Sequence, residues 1–271
     1  MVDDKSLTYW TTAKYRQNLM ITEEDAVARE FALTIEINGE QYATIVCTPT
    51  DLKELVIGFL ASEGIIRKYE DIQSVMVDDY KGFAYVELHF PVEFTERTER
   101  WIGSCCGKSR EFYLKQDVKA AKTITTKLQL QTNQVYQLMK EFDDQAEVFG
   151  ETGGVHQAGL ATEKQINAAF IDIGRHNALD KLFGHILLHK LSVKDYCILF
   201  SGRISSEVIL KVSKIGVGIL LAKSAPTDLA LKLARDLQIT AVGFIRNASL
   251  NVYTHENRIQ NGLDEGIYFT K

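Results

Sequence analysis

Apolar and polar positions alternate through "FALTIEINGEQYATIVC", Phe31 to Cys47, on either side of an Asn38-Gly39 pair. Alternation of this kind marks half-buried strands, and Asn-Gly supplies the two positive-φ residues of a type I′ hairpin turn. The pattern predicts strands near 31–37 and 41–47. In "TPTDLKELVIGFLASEGII" the period lengthens: Leu52, Leu55, Val56, Phe59 and Leu60 share a helical face. Thr50 stands where an N-cap belongs and Gly64 where a helix ends. "FAYVELHF" returns to the strand pattern, so the region to about residue 100 reads as an α+β unit.

From Asn133 the texture changes. "NQVYQLMKEFDDQAEVF" predicts an amphipathic helix, and "GVHQAGLA" and "AAFIDIG" predict a pair of strands. Helical and strand-like segments then alternate: "NALDKLFGHILLHKL", "YCILFSG", "SSEVILKVSKIG", "VGILLAKSA", "PTDLALKLARDLQ" and "ITAVGFIR". That alternation predicts crossover units and a mostly parallel sheet covered by helices on both faces. Residues 91–130, polar and weakly periodic, are the expected bridge between domains. The predicted organisation is an N-terminal α+β domain over 1–110 and an α/β domain over 111–271.

Composition narrows the function classes. A chain of 271 residues with 45% hydrophobic and 25% charged residues has the make-up of a globular protein, and its net charge of -5 offers no broad basic footprint for nucleic acid. No window has the unbroken apolar length of a membrane span, and "MVDDKSLTYW" lacks a signal-peptide pattern. A cytoplasmic protein without membrane insertion is expected. Thiols stay reduced there, so Cys47, Cys105, Cys106 and Cys197 do not read as a disulfide framework. Cys47 and Cys197 sit in apolar strand-like runs and are expected to be buried.

Ligands of open α/β sheets gather beyond the carboxyl ends of the strands. "FIDIG" is followed there by Arg175-His176-Asn177, "CILFSG" by Arg203 and Ser205-Ser206, and "AVGFI" by Arg246-Asn247. Arginine binds phosphate in bidentate fashion, and helix N-termini favour anions, so Arg175, Arg203 and Arg246 point to a phosphorylated ligand. The bland alternative makes Ser205, Thr227 and Asp228 helix caps and pairs the arginines with surface carboxylates such as Asp172 or Glu207. Gly153-Gly154 in "ETGGVHQAG" are read as offering free amides to a ligand, with His156 as a hydrogen-bonding, acid-base or structural residue. His185 and His189 lack a third ligand in the sequence pattern and read as packing or surface residues; no resident metal is expected.

The chemistry-bearing oddity is "WIGSCCGKSR". Only a thiolate is a good nucleophile, and Lys108 and Arg110 favour the thiolate of Cys105 or Cys106. Neighbouring cysteines are too close for an ordinary structural disulfide. Two adjacent thiols also lack the spacer of a zinc site.

"TPTDLKELVIGFLASEGII", "SCCGKS", "ETGGVHQAGL", "DIGRHNALDKLFG", "SGRISSEVILK", "SAPTDLALKLA" and "VGFIRNASLNVYTH", in that order, are similar to the formate dehydrogenase accessory protein family, FdhD. The resemblance spans about residues 30–260. It implies a sulfurtransferase: a cysteine desulfurase loads sulfur onto a loop cysteine as a persulfide, and the sulfur passes to a molybdenum bis-pterin guanine dinucleotide cofactor needed by formate dehydrogenase. The cofactor is then a transient ligand, and guanine nucleotide a partial mimic of it. The resemblance further implies a homodimer and a cytidine-deaminase-like, three-layer C-terminal domain beside the smaller α+β domain. Carried over by position, the persulfide falls on Cys105 or Cys106 and cofactor contacts on Phe244, Ile245, Arg246, Asn247, Ala248 and Ser249. Arg175, Arg203, His156, Gly153 and Gly154 are the further candidates from the residue pattern. Many members carry two cysteines separated by two residues before Gly-Lys; here the outer position is Gly103 and the pair is adjacent, which leaves the acceptor open between the two.

Two other readings compete. One is a passive cofactor-binding chaperone that never touches sulfur. The other is a deaminase-like hydrolase, but that chemistry needs a zinc-ligating His or Cys followed by Glu, then Pro-Cys-x-x-Cys. Here His156 is followed by Gln157-Ala158, and the later turn reads "SGRISSE".

Overall fold

The computed structural model describes residues 5–92, 100–102 and 123–262. Cys105, Cys106, Lys108, Arg110 and the expected 110/111 boundary lie outside the described residues. The chain divides into two compact units: one comprises 1–121, 144–159 and 168–192, the other 122–143, 160–167 and 193–271. No helix among the described residues is long and apolar enough to cross a membrane.

The first unit opens on an element that the hydrophobic pattern does not announce, a two-stranded antiparallel ribbon of β1 (Leu7–Arg16) and β2 (Leu19–Ala28). Its turn is Gln17-Asn18, both at positive φ. Thr-rich strands with little burial give no clear apolar alternation, which is why sequence reasoning passes over them. Next come β3 (Phe31–Ile37) and β4 (Glu40–Cys47), the expected hairpin, with Asn38 at φ 51° and Gly39 at φ 82°. Both values fit a type I′ turn. Asn38 also accepts the Leu88 amide through Oδ1 and donates through Nδ2 to the Phe90 carbonyl, so the turn side chain anchors the neighbouring strand's exit. With β5 (Ile72–Asp78), β6 (Phe83–Leu88) and β7 (Arg100–Ile102) these strands form a sheet of order β5-β6-β3-β4-β7.

Helix α1 (Leu52–Ser62) stops as expected at Gly64, φ 77°. The Gly64 amide donates to Ala61 O and the Ile65 amide to Leu60 O, a Schellman closure. Its start differs from expectation. Asp51, in left-handed conformation, holds the N-cap position without a side-chain cap, and Thr50 serves another purpose described below. Helix α1 packs against the later helix of the same unit, Arg175–Leu188, through two glycines. A Cβ on Gly58 would lie 1.7 Å from Asp180 O, and one on Gly184 would lie 1.9 Å from Glu54 O. The backbones touch there, and only hydrogen fits between them.

The expected helix over 133–149 is two: α2 (Thr132–Asp144) and the short α3 (Glu147–Thr152). The apolar stripe Val135, Leu138, Met139 and Phe142 ends before two aspartates, and Ala146 is non-helical. Then follow β9 (His156–Ala161), β10 (Ile166–Asp172), α4 (Arg175–Leu188), β11 (Cys197–Phe200), α5 (Ser206–Ile215), β12 (Ile219–Ala222), α6 (Asp228–Asp236), β13 (Thr240–Arg246) and β14 (Ser249–Val252). The six-stranded sheet has order β10-β9-β11-β12-β13-β14. As predicted, β11, β12 and β13 run parallel; β14 returns antiparallel. In the second unit α2 covers one face of these strands, its stripe packing on Cys197, Leu199, Ile219, Leu221 and Val242. The alternate residues Ile198, Phe200, Leu220 and Ala222 are equally buried, as strands sandwiched on both faces must be. A short parallel pair, β8 (Leu130–Gln131) with β15 (Ile259–Gln260), completes the described strands.

Candidate functional site

In the second unit the polar residues that sequence reasoning placed after each strand do stand at the carboxyl ends of the parallel strands. The loops leaving β11 and β12 run side by side: Ile204 N donates to Ala225 O at 3.1 Å, Thr227 N to Ile204 O at 3.0 Å, and Ser224 Oγ to Ser201 O at 3.0 Å. Ser205 accepts from Val208 N and Thr227 from Ala230 N, so both hydroxyls are helix caps. Asp228 is spent on an i,i+4 pair with Lys232. Arg203 in the first loop is exposed.

The end of β13 is strained. Phe244 sits at φ 54° within a bulge between Gly243 and Arg246, and an aromatic residue rarely adopts that conformation. Such strain persists where surrounding structure over-determines it, and it concentrates at ligand sites. Gly243 permits it: a Cβ there would lie 3.0 Å from Ser224 O and 3.2 Å from the Tyr253 ring. The Arg246 guanidinium lies 5.8 Å from the Phe244 ring centroid, within cation–π range. Asn247 and Ala248, both at positive φ, turn the chain so that Arg246 pairs with Ser249. Ile245 is buried, Phe244 half-buried, and Arg246, Asn247, Ala248 and Ser249 are exposed. The stretch thus presents an arginine, an aromatic face and a polar turn to solvent, with Arg203 a second exposed arginine at the carboxyl ends of this unit's strands, while Lys223 after β12 pairs with Asp143.

Arg175, His156, Gly153 and Gly154 belong to the first unit. Arg175 opens α4, and its Nε is buried with no hydrogen-bond partner. Burial, then the charges of Arg175 and His176, hold the His156 pKa below its ordinary value, against a smaller opposing pull from Asp172. His156 is therefore a neutral imidazole at neutral pH. A histidine whose folded pKa lies below its unfolded one opposes protonation. Its contribution to stability is full above the unfolded value near 6.5 and is lost as pH falls through the lower folded value. Replacing His156 with Gln is expected to flatten the decline in stability below pH 6.5, measured as urea midpoints across that range. The remaining decline carries the same sign from His185, whose pKa is lowered by burial and by His189.

Three expectations change here. The Gly153 amide already donates to Phe149 O at 2.7 Å and the Gly154 amide to Thr152 Oγ1 at 3.1 Å, so neither is free for a ligand. Asp172 is not a surface carboxylate but fully buried, as is Lys181 2.9 Å from it. Its Oδ2 also accepts from Thr48 N at 3.0 Å, and Oδ1 from Gly174 N and Asn177 Nδ2, both at 2.9 Å. Lys181 Nζ further donates to Ile171 O at 2.8 Å, Thr48 O at 3.2 Å and Thr50 Oγ1 at 3.3 Å. Thr50 therefore receives a buried lysine rather than capping α1. This network fixes the start of α4 and hence Arg175. The readable signal was Asn177, Asp180 and Lys181 falling within one turn of each other among the apolar positions Ala178, Leu179 and Leu182. The His185 and His189 rings meet at a tilt with centroids 4.4 Å apart, and Phe170 lies against His185 at 5.3 Å, so these histidines pack against rings.

Cys47 and Cys197 are both buried and free. Burial pushes each thiol up to about 12, with Asp172 adding to the rise at Cys47, so neither is a thiolate at physiological pH. The other two cysteines, Cys105 and Cys106, lie outside the described residues and begin three residues after the end of β7 in the sequence.

A family model described as FdhD/NarQ matches residues 28–260. The chain belongs to the FdhD/NarQ family. Among FdhD/NarQ relatives, the sulfur carrier protein FdhD of Geobacillus kaustophilus is 54% identical over 250 residues, covering 91% of this chain and 95% of the relative. The sulfur carrier protein FdhD of Bacillus subtilis is 49% identical over 261 residues, covering 96% and 100%. In structure, the chain is similar to the crystal structure of a Desulfotalea psychrophila protein described as a formate dehydrogenase accessory protein, with a TM-score of 0.78 and 25% identity over 94% of this chain and 99% of the other. The FdhD resemblance carried by the seven sequence stretches is thereby established, and the mixed α/β architecture goes with it.

Proposed function

We propose that this chain is a sulfur carrier protein that serves formate dehydrogenase. The observation that carries the reading is the exclusion of Cys47 and Cys197 as nucleophiles by burial, in a chain half identical to proteins named for sulfur carriage. The acceptor is then Cys105 or Cys106, whose thiolate Lys108 and Arg110 favour electrostatically. The thiolate attacks the outer sulfur of a desulfurase persulfide. A new S–S bond forms, the donor's S–S bond breaks, and the donor cysteine leaves as a thiolate. No oxidant is consumed, because the sulfane sulfur carries its oxidation state with it.

The proposed recipient is the molybdenum bis-pterin guanine dinucleotide cofactor, a cargo rather than a resident group. The carboxyl edge in the second unit fits its nucleotide portion: Arg203 and Arg246 supply cations for phosphates, and Phe244 to Ser249 supply a ring and a polar turn. His156 and Arg175 are candidate cofactor contacts within the first unit taken by itself, where Gly153-Gly154 contribute space rather than donors. The same reading includes a cysteine desulfurase and formate dehydrogenase as partners, a cytoplasmic homodimer, and a cytidine-deaminase-like three-layer domain over 111–271 beside the smaller α+β domain over 1–110. The assignment of Arg246 is tested by Arg246→Ala. Guanine nucleotide affinity is expected to fall by tenfold or more, on the order of the 1.5–3 kcal/mol of a charge-assisted hydrogen bond, with sulfur loading unchanged. Loss of both properties, or of neither, contradicts the division of labour.

A further inference from the structure

The carboxyl ends of β11, β12 and β13 lie side by side in the second unit. Arg203 follows the first of these strands and Arg246 ends the third, and both are exposed. The middle strand, β12, ends at Ala222, and the next residue is another cation, Lys223. Strand order therefore sets Lys223 between the two arginines. Its backbone is fixed there: Lys223 N donates to Phe200 O at 3.2 Å, and the following residue's Ser224 Oγ donates to Ser201 O at 3.0 Å. Only the side chain is left to move. Its Nζ lies 2.9 Å from Asp143 Oδ2, and the two side chains remain 37% and 41% exposed.

A pair this exposed is easily parted, because water and salt compete for both partners. Asp143 does nothing for its own helix either. It stands in the last turn of α2, which holds no basic residue, and a carboxylate there meets the negative end of the helix dipole. Its effect is to neutralise the central cation of an edge whose two flanking cations face solvent. A phosphate oxygen offers Lys223 the same charge-assisted contact as the Asp143 carboxylate, and it brings further oxygens for the arginines on either side.

We propose that Lys223 is a third phosphate-binding residue of this edge, that Asp143 is its resident counter-ion, and that a ligand with two linked phosphates displaces Asp143 to reach it. The inference rests on the proposed reading of this edge as a phosphate site and adds to it a residue and a preference. Three adjacent strand ends span about 10 Å, at about 4.8 Å between strands. One phosphate group engages neighbouring ends, whereas a diphosphate engages all three. The exchange makes and breaks ionic contacts only, and the released Asp143 carboxylate returns to water. Selectivity follows from the arrangement: a ligand too short to reach Lys223 leaves the Asp143 pair closed and gains only the arginines.

Calorimetric titration of the full chain with inorganic pyrophosphate, guanosine diphosphate and guanosine monophosphate tests it. Lys223→Met is expected to weaken both diphosphates about tenfold and to erase most of the preference for guanosine diphosphate over the monophosphate, a ratio that a purely structural role would not move. Asp143→Asn should tighten both diphosphates about two- to fivefold, the range that an exposed ion pair allows. Asp228→Asn, the same charge change at a carboxylate paired with Lys232, should leave them unchanged. In the unsubstituted chain, pyrophosphate should also protect Lys223 from an amine-directed label located by mass, which depends on no variant folding. Unchanged diphosphate affinity in Lys223→Met, equal labelling of Lys223 with and without pyrophosphate, or an Asp143→Asn affinity that falls or merely matches Asp228→Asn would each overturn the proposal. Guanosine diphosphate bound normally with Lys223 indifferent sinks this inference and leaves the nucleotide reading standing. The expected Lys223 and Asp143 effects on pyrophosphate, with guanosine diphosphate bound no more tightly than pyrophosphate, uphold this inference and sink the nucleotide reading; a chain that binds none of the three probes loses both.

Discussion

Gly184→Ala is expected to cost about 4 kcal/mol or more, or to abolish folding outright. The added Cβ would meet the Glu54 carbonyl oxygen at 1.9 Å, and Gly58→Ala would meet the Asp180 carbonyl at 1.7 Å. The opposing atoms are backbone, so no rotamer change relieves the clash. The two helices must separate instead, and packing across a well-filled core is lost with them. Separation also pulls Ser62 Oγ from Asp180 Oδ1, a buried contact of 2.5 Å between the same helices. Gly150→Ala is the control. That glycine is exposed in α3 with nothing within 4 Å of a Cβ, so alanine there should be neutral or stabilise by about 0.5–1 kcal/mol. Urea unfolding of the three variants checks the set, and a Gly184→Ala midpoint close to that of the unsubstituted protein would contradict the backbone contact.

Lys181→Met should cost about 3–5 kcal/mol, because it leaves the Asp172 carboxylate buried without its cation. The loss has little to do with the value of the pair itself. Removing both charges, in Asp172→Asn with Lys181→Met, should recover part of the stability, since the uncompensated charge is what destabilises. Salt should not mimic the effect: both side chains are fully buried and beyond the reach of screening that weakens surface pairs. A single variant no less stable than the double one would argue that the network is not closed as described. The functional consequence runs through α4. Thr48, Gly174 and Asn177 hold the start of that helix, and Arg175 is its first residue.

Elements with a strong period were legible. The Asn38-Gly39 hairpin, the closure of α1 at Gly64, and the parallel β11-β12-β13 order all follow from local patterning that tertiary structure had no reason to override. Three things were not legible, each for a physical cause. The β1–β2 ribbon buries too little to leave an apolar alternation, and its Gln17-Asn18 turn lacks the glycine that flags a hairpin. Asp172 looked like a surface carboxylate because its partner, Lys181, and its amide donors come from distant parts of the chain. Phe244 gave no warning of positive φ, since its conformation is imposed by Gly243 and the loop carrying Ser224 and Pro226 rather than by its own chemistry. Of the candidate site, the arginines after β11 and β13 stand where the strand pattern put them. The Gly153-Gly154 amides do not serve as read, because helix α3 closes on them.

In the proposed function, Cys105 or Cys106 takes up the sulfur. The most direct measurement is intact mass after incubation with cysteine and a cysteine desulfurase, with thiol labelling to locate the adduct, on the unsubstituted chain and on Cys105→Ala and Cys106→Ala. One added sulfur, abolished by one of the two substitutions, with Cys47 and Cys197 unlabelled until the protein is unfolded, is the predicted result. A chain that binds guanine nucleotide yet never gains sulfur, or gains it equally in Cys105→Ala, Cys106→Ala and the double variant, would contradict sulfur carriage by this pair and leave a protein that only holds the cofactor.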